Sequence, residues 1–90
     1  MFKITDSKGF QMTFDNGYSI SVQFGPGNYC ENRDLPYDAP KKLNIFQSKD
    51  AEIAIFNPDG EFVRIDEHDD VIGRLSSEEV LEWMVITAKK

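Results

Sequence analysis

The sequence predicts an α+β fold, in which one carboxyl-terminal helix packs on the apolar face of an antiparallel sheet of five to six strands. Residues 1–24 alternate apolar and polar side chains between glycine-containing turns, which is typical of a β-meander. A second hairpin signal lies at 52–65, and residues 76–88 have the pattern of a capped amphipathic helix. A chain of 90 residues is enough for one domain, 1–90, with one core.

The meander consists of predicted strands at 2–5, 9–14 and 18–24. Asp6-Ser7-Lys8-Gly9 and Phe14-Asp15-Asn16-Gly17 are typical of type I turns that end in a left-handed glycine, which gives three-residue hairpin loops. This loop length predicts the cross-strand pairs Phe2–Phe14, Ile4–Met12, Phe14–Tyr18, Met12–Ile20 and Phe10–Val22. All these apolar side chains then lie on one face. The opposite face is polar and nearly uncharged, and comprises Lys3, Thr5, Gln11, Thr13, Ser19, Ser21 and Gln23.

The second hairpin, at 52–65, is predicted from Asn57-Pro58-Asp59-Gly60, because proline presets φ at the second turn position and glycine suits the left-handed one. It predicts the pairs Ile55–Val63, Ile53–Ile65 and Phe56–Phe62. A short strand at 71–75 follows. Between residues 25 and 51 the periodicity fails, and only 43–47 has the pattern of a short strand.

The start of the carboxyl-terminal helix is the clearest local signal. Ser76 is the predicted N-cap, and Glu79 completes a capping box. The apolar stripe expected to pack on the sheet comprises Val80, Leu81, Met84, Val85 and Ala88, widened by Trp83. Ile86 falls outside this stripe, so it is either a solvent-exposed apolar residue or part of a contact with another chain.

Charge is distributed unevenly along the chain. Residues 50–82 contain eleven acidic and two basic residues, a net charge of −9, whereas residues 1–49 contain five acidic and six basic residues, a net charge of +1. Such a surface repels nucleic acid and attracts basic protein surfaces. No apolar run reaches the ~20 residues of a membrane-spanning helix, no signal-peptide pattern is present, and a single cysteine cannot form an internal disulfide. We therefore expect the protein to be located in a reducing cytoplasm.

The loop at 25–33 is the first candidate for a functional surface. Its glycines allow close backbone approach, and consecutive N–H groups in such a turn form an anion nest in other proteins. The alternative is a tight strand-terminating turn with Tyr29 and Cys30 in the core. The ligand-binding candidates are Gly25, Gly27, Asn28, Tyr29, Asn32 and Arg33.

No catalytic or metal-binding signature is present in the sequence. Cys30 has no base beside it, since the only histidine, His68, lies in a different loop. The acidic run at 66–70 lacks the ligand spacing of an EF-hand, and no second His or Cys completes a zinc site. We therefore predict no catalytic residues, no metal and no cofactor.

Three segments, at 17–30, 51–56 and 75–80, resemble small uncharacterised proteins that bacteriophages and prophages encode. Small acidic phage proteins without catalytic motifs include inhibitors of bacterial antiviral systems, among them anti-CRISPR proteins and sponges for signalling nucleotides. The resemblance implies a non-enzymatic protein that blocks a component of host defence, such as a nuclease, a CRISPR effector or a signalling effector.

In the version that we favour, an acidic surface occupies a basic site on that host protein. The contact candidates are Glu61, Asp66, Glu67, Asp69, Asp70, Glu82 and Ile86. A nucleotide sponge is one alternative: it would use the 25–33 loop in an oligomer, with Arg33 and Lys41 or Lys42 on the phosphates. The other alternative is a phage structural or assembly protein that self-associates through the polar sheet face and Ile86. Direct nucleic-acid and membrane binding are not expected.

Overall fold

The computed structural model describes residues 1–6, 8–43, 46–65 and 69–90. It confirms the predicted α+β class, since a carboxyl-terminal helix packs on an antiparallel six-stranded sheet. The strands are β1 (Phe2–Thr5), β2 (Gly9–Thr13), β3 (Ser19–Gln23), β4 (Ala51–Phe56), β5 (Phe62–Val63) and β6 (Val71–Leu75). The helices are α1 (Ala39–Lys42), a single turn, and α2 (Ser77–Ala88). The strands run in the order β1-β2-β3-β4, and both β5 and β6 pair with the remaining side of β4.

The register between β2 and β3 is as the sequence predicts. The pairs Phe10–Val22 and Met12–Ile20 are both present. The turn is closed by a hydrogen bond of 2.9 Å from the Phe14 N–H to the Tyr18 carbonyl oxygen. Gly17 occupies the left-handed region with a φ of 86°. The turn sequence therefore fixed this register.

The register between β1 and β2 differs from the prediction by two residues. The observed pairs are Phe2–Met12 and Ile4–Phe10. Asp6, rather than Gly9, has the positive φ, 45°, and Gly9 lies inside β2. A Cβ atom at Gly9 would collide with the carbonyl oxygen of Val22 on β3. Gly9 therefore permits close approach of two strands, and the shift by an even number leaves the apolar side chains on the predicted face.

Strands β5 and β6 share one edge of β4. The predicted pairs Ile55–Val63 and Phe56–Phe62 are present, but Ile53 pairs with Ile72 of β6 and not with Ile65. Val63 and Val71 lie beside neighbouring positions of β4, Ile55 and Ala54. In the segment predicted as a strand at 43–47, residues 44 and 45 lie outside the described residues, and Phe46 and Gln47 are not in a strand.

The core lies between α2 and the middle of the sheet. Its buried apolar side chains are Ile20, Val22, Ala51, Ile53, Ile55, Leu75 and Val80. Helix α2 contacts β3, β4 and β6. Strand β1 lies outside this contact, and its apolar side chains Phe2 and Ile4 are 76% and 83% exposed. One helix therefore covers about half of the apolar face.

The amino terminus of α2 has the predicted capping box. The Glu79 N–H donates to Ser76 Oγ at 3.2 Å, and the Ser76 N–H donates to Glu79 Oε1 at 3.0 Å. Both bonds satisfy backbone donors that the first turn would otherwise leave without a partner. At the other end of α2, the side-chain amide of Asn16 donates to the carbonyl oxygen of Thr87 at 3.0 Å. The hairpin turn between β2 and β3 is thereby attached to the helix.

The predicted helix stripe is only partly correct. The side chains that face the sheet are Val80, Trp83, Met84 and Thr87. Leu81 and Val85 are 59% and 44% exposed, because the flank on which they lie faces the uncovered strands. Burial of Thr87 is possible since its hydroxyl donates to the Trp83 carbonyl oxygen at 2.7 Å.

We expect Ile20→Ala to lower the free energy of unfolding by about 2–5 kcal/mol, because the fully buried side chain leaves a cavity. Ile4→Ala removes the same atoms from an 83% exposed position and should cost less than about 0.5 kcal/mol. Urea denaturation followed by circular dichroism measures both values. Equal losses would show that β1 is covered in solution.

The capping box predicts a specific pH dependence. The hydrogen bonds from the Ser76 backbone N–H and hydroxyl lower the pKa of Glu79 below its ordinary value. The ionised carboxylate therefore stabilises the fold fully above the pKa of the unfolded chain, about 4.3, and loses this effect as the pH falls through the lower folded value. Glu79→Ala should be destabilised at pH 7 and should converge with the parent protein in acid.

Urea denaturation between pH 7 and pH 3 tests this dependence. Glu78→Ala is the matched control, because it removes a carboxylate from the same turn without breaking the cap. The difference between the two variants isolates the capping bond. A difference that does not change with pH would contradict the assignment.

Candidate protein-binding surfaces

The loop at 25–33 is held against the sheet by carboxylates of the protein itself. Glu52, on β4, accepts hydrogen bonds from the Tyr29 N–H at 3.1 Å and from the Asn28 side-chain amide at 3.3 Å. Asp50 accepts the Glu31 N–H at 2.7 Å. The N–H groups of Tyr29 and Glu31, which an anion nest would need, are therefore already bound to anionic side chains.

The asparagines of this loop serve its own structure. Asn28 and Asn32 are both buried. Asn28 Oδ1 accepts the Gly25 N–H at 3.1 Å. The Asn32 amide donates to the carbonyl oxygens of Phe24 and Gln47, each at 2.9 Å. Their polar atoms thus satisfy backbone groups in an irregular segment, as buried polar groups must be satisfied.

Two other ligand-binding candidates of the loop are exposed. The Arg33 guanidinium lies over the ring of Tyr29, 4.5 Å from its centroid. Both residues are exposed, and this cation–π contact leaves their edges open to solvent. Gly27 is exposed as well, with a φ of 83°, while Gly25 is buried.

Strand β6 is shaped to receive the loop. A Cβ atom at Gly73 would collide with the Tyr29 Cβ, and the Arg74 N–H donates to the Tyr29 carbonyl oxygen at 2.9 Å. Arg74 has a φ of 59°, and the register between β4 and β6 shifts at this point. A β-bulge therefore makes room for the loop. Cys30 lies beneath it, fully buried, with its thiol 3.6 Å from the Gly25 carbonyl oxygen.

The acidic contact candidates lie on two parts of the surface. Glu61, Asp69 and Asp70 are exposed beside the edge that β5 and β6 form, whereas Glu82 is exposed on the outer side of α2. Ile86 is also on α2 and is 48% exposed. Asp66 and Glu67 lie outside the described residues, as does His68.

The carboxylates in the described part of 50–82 have no cationic partner there. Within the described ranges the single ion pair joins Lys42 and Asp38, at 2.9 Å, outside that segment. Hydrogen bonds to the carboxylates of Glu61, Asp69 and Glu79 come from neutral donors. No group of three His, Cys, Asp or Glu side chains in the described part of the chain is arranged to hold a metal ion.

The structure also shows an apolar groove that the sequence analysis missed. It has a volume of about 310 Å³ and runs between α2 and strands β2 and β3. Its apolar lining consists of Phe10, Val22, Phe24, Ala51, Leu75, Val80, Leu81 and Met84, and residues 48–50 and Ser77 form its polar wall. A second hollow of about 370 Å³ follows toward the end of α2, between Met12 and Ala88. The sequence did contain a signal for this groove. A helix is about 10 Å wide and strands are spaced about 4.8 Å apart, so a single helix is too narrow to cover the predicted sheet of five to six strands.

The second face of the sheet is not wholly polar. Thr13 and Ser19 are joined by a hydrogen bond of 2.8 Å between their hydroxyls, and Gln23 donates to Thr5 Oγ1 at 2.6 Å. Ser19 lies opposite Phe56, whose ring is 4.7 Å from that of Phe62. The hydroxyls that an assembly protein would offer to another copy are thus partly bonded to each other.

Three comparisons with known proteins assign this chain to no family. No family model matches it, and neither does any curated protein or solved structure. Among the helices of the described residues, none is long and apolar enough to span a membrane. The function proposed below therefore depends on surface chemistry.

We expect Gly73→Ala to displace the loop and to expose Cys30, because the added Cβ collides with Tyr29. The rate of reaction of the thiol with a disulfide reagent should rise at least about tenfold, since the buried thiol otherwise reacts only through local opening. Gly60→Ala is the control: its φ of 80° makes the change unfavourable, but no atom lies within 4 Å. Equal acceleration in both variants would indicate general destabilisation instead.

Proposed function

We propose that this protein is a non-enzymatic binding protein that acts in the bacterial cytoplasm on another protein with a basic surface. The observation that carries the proposal is the charge distribution. Residues 50–82 carry a net charge of −9, and no ion pair within the described part of that segment neutralises it. Uncompensated carboxylates on the surface of a small protein attract cationic partners.

The acidic surface consists of Glu61, Asp69 and Asp70 beside the β5–β6 edge and of Glu82 on α2. Individual surface ion pairs are worth little, because water and salt screen them. Several carboxylates together steer a basic partner and raise its association rate. A protein surface that normally binds nucleic acid is basic, so an acidic protein is suited to compete for it.

The resemblance to phage and prophage proteins suggests the biological role of this binding. An acidic phage protein that occupies the nucleic-acid site of a host nuclease, CRISPR effector or signalling effector would inhibit antiviral defence. The contacts of the 25–33 loop favour this version over the nucleotide sponge, because Glu52 and Asp50 occupy its N–H groups. A phosphate there would have to displace two carboxylates.

Charge reversal tests the proposal. Glu61→Lys/Asp70→Lys should weaken binding to a partner captured from bacterial lysate at least about tenfold, or about 1.4 kcal/mol. Asp34→Lys/Asp38→Lys makes the same charge change in the other half of the chain and should leave affinity within about twofold. Biolayer interferometry at low and high salt measures both affinities.

Two results would contradict the proposal. In one, both double variants lose affinity equally, so that only the net charge matters. In the other, a cyclic nucleotide raises the melting temperature of the chain while no basic protein is captured, which would select the sponge.

A further inference from the structure

The apolar face of the sheet is left open beside α2. The open strip, as we define it, comprises Phe2, Ile4, Phe10 and Met12 of β1 and β2 together with Leu81, Val85 and Ala88 of α2. Phe2, Ile4, Leu81 and Val85 are between 44% and 83% exposed. Together they present on the order of 500 Å² of apolar surface, which is at the upper end for one patch on a soluble monomer.

The open strip has the width of one α-helix. Helix α2 contacts β3, β4 and β6, whereas the apolar side chains of β1 are exposed and Phe10 and Met12 of β2 are half-buried. Two strands spaced about 4.8 Å apart make a strip about 10 Å wide, and a helix with its side chains is about 10–12 Å in diameter. The two hollows, of about 310 and 370 Å³, lie along α2 from Ser77 to Ala88. A second helix can therefore lie beside α2.

The rim of the strip on the α2 side is acidic. Glu78 and Glu82 are exposed, and at helical spacings of three and four residues they neighbour Leu81 and Val85. The charged residues that line the hollow near Ser77 are Lys49 and Asp50, and Asp15 lines the hollow near Ala88. An occupant with basic side chains along one flank would complement this rim.

A second copy of the chain does not fit the strip well. The exposed side of its α2 carries Glu78, Glu82 and Lys89 beside Leu81, Val85 and Ile86, so docking it would place charged side chains against the apolar floor. Pairing of two β1 edges about a two-fold axis at Lys3 would place two lysines opposite each other, which is unfavourable. A lysine on an edge strand is a common device against such pairing. The occupant is therefore a different protein.

We propose that the open strip binds an amphipathic helix of a partner protein, with apolar side chains at i, i+3, i+4 and i+7 and Lys or Arg along the flank that faces Glu78 and Glu82. This rests on the proposed function only in taking the partner to be a protein with basic groups. The two surfaces share Glu82, whereas Glu61, Asp69 and Asp70 lie apart from the strip, beside the β5–β6 edge.

A pair of synthetic peptides tests the site directly. Each is about 14 residues long, slightly longer than α2, with leucines at the four apolar positions and either Lys or Glu on both flanks. We expect saturable binding of the Lys peptide, measured by fluorescence anisotropy in about 0.1 M salt, and at least about tenfold weaker binding of the Glu peptide. Glu78→Lys/Glu82→Lys should reverse this preference.

Two matched double variants locate the site on the chain. Phe2→Gln/Ile4→Gln should lower the affinity for the Lys peptide at least about tenfold. Phe62→Gln/Ile86→Gln removes the same two residue types from positions that are 54% and 48% exposed elsewhere, and should change affinity less than about twofold. All four side chains are exposed, so both variants should keep the parent circular dichroism spectrum.

Four results would overturn the proposal: neither peptide binds, both peptides bind equally, the two double variants weaken binding equally, or light scattering shows a dimer that Phe2→Gln/Ile4→Gln dissociates. The last result would make a second copy the occupant. Glu61→Lys/Asp70→Lys separates this proposal from the proposed function. If this variant still binds the Lys peptide, the peptide site is separate from the acidic surface. This conclusion holds whether or not the variant still binds the partner captured from lysate.

Discussion

The pairing of β3 with β4 is the interaction on which the rest of the molecule depends. It places Ile20 beside Ile55 and Val22 beside Ile53, and these four side chains form the centre of the buried core. Helix α2 packs over this pair, while the loop at 25–33 is hydrogen-bonded to Glu52 on its opposite face. Because the helix is centred here, the apolar side chains of β1 stay exposed and those of β2 are only half-buried.

The acidic residues of the chain divide into two groups with different roles. Glu52, Asp50 and Glu31 accept hydrogen bonds from backbone N–H groups: the first two hold the loop, and Glu31 accepts the Lys49 N–H at 2.7 Å. The other described acidic residues of 50–82 are exposed beside the β5–β6 edge and on α2. Net charge alone would not separate these groups. Only the exposed group is available to another protein, and this narrows the proposed surface to a few carboxylates.

The sequence correctly predicted the structural features that depend on residues close together in the chain. Gly17 and the Ser76–Glu79 box are correct because each depends on residues at most three positions away. Gly9 was assigned to a turn wrongly, since its role is set by the Val22 carbonyl on another strand. The helix stripe failed at Leu81 for a similar reason: which flank meets the sheet depends on where the sheet ends. The contacts of Asn28 and Glu52, 24 positions apart, have no local signal.

The long connection between β3 and β4 has a consequence for folding. The hairpins of β1, β2 and β3 and of β4 and β5 join neighbours in sequence, whereas β3 ends at Gln23 and β4 begins at Ala51. Closing a connection of this length restricts the chain before any contact stabilises it, so non-local pairing of this kind forms slowly. Residues 1–49 and 50–90, which have net charges of +1 and −7, must find each other. Their opposite signs favour the encounter, and added salt should slow it.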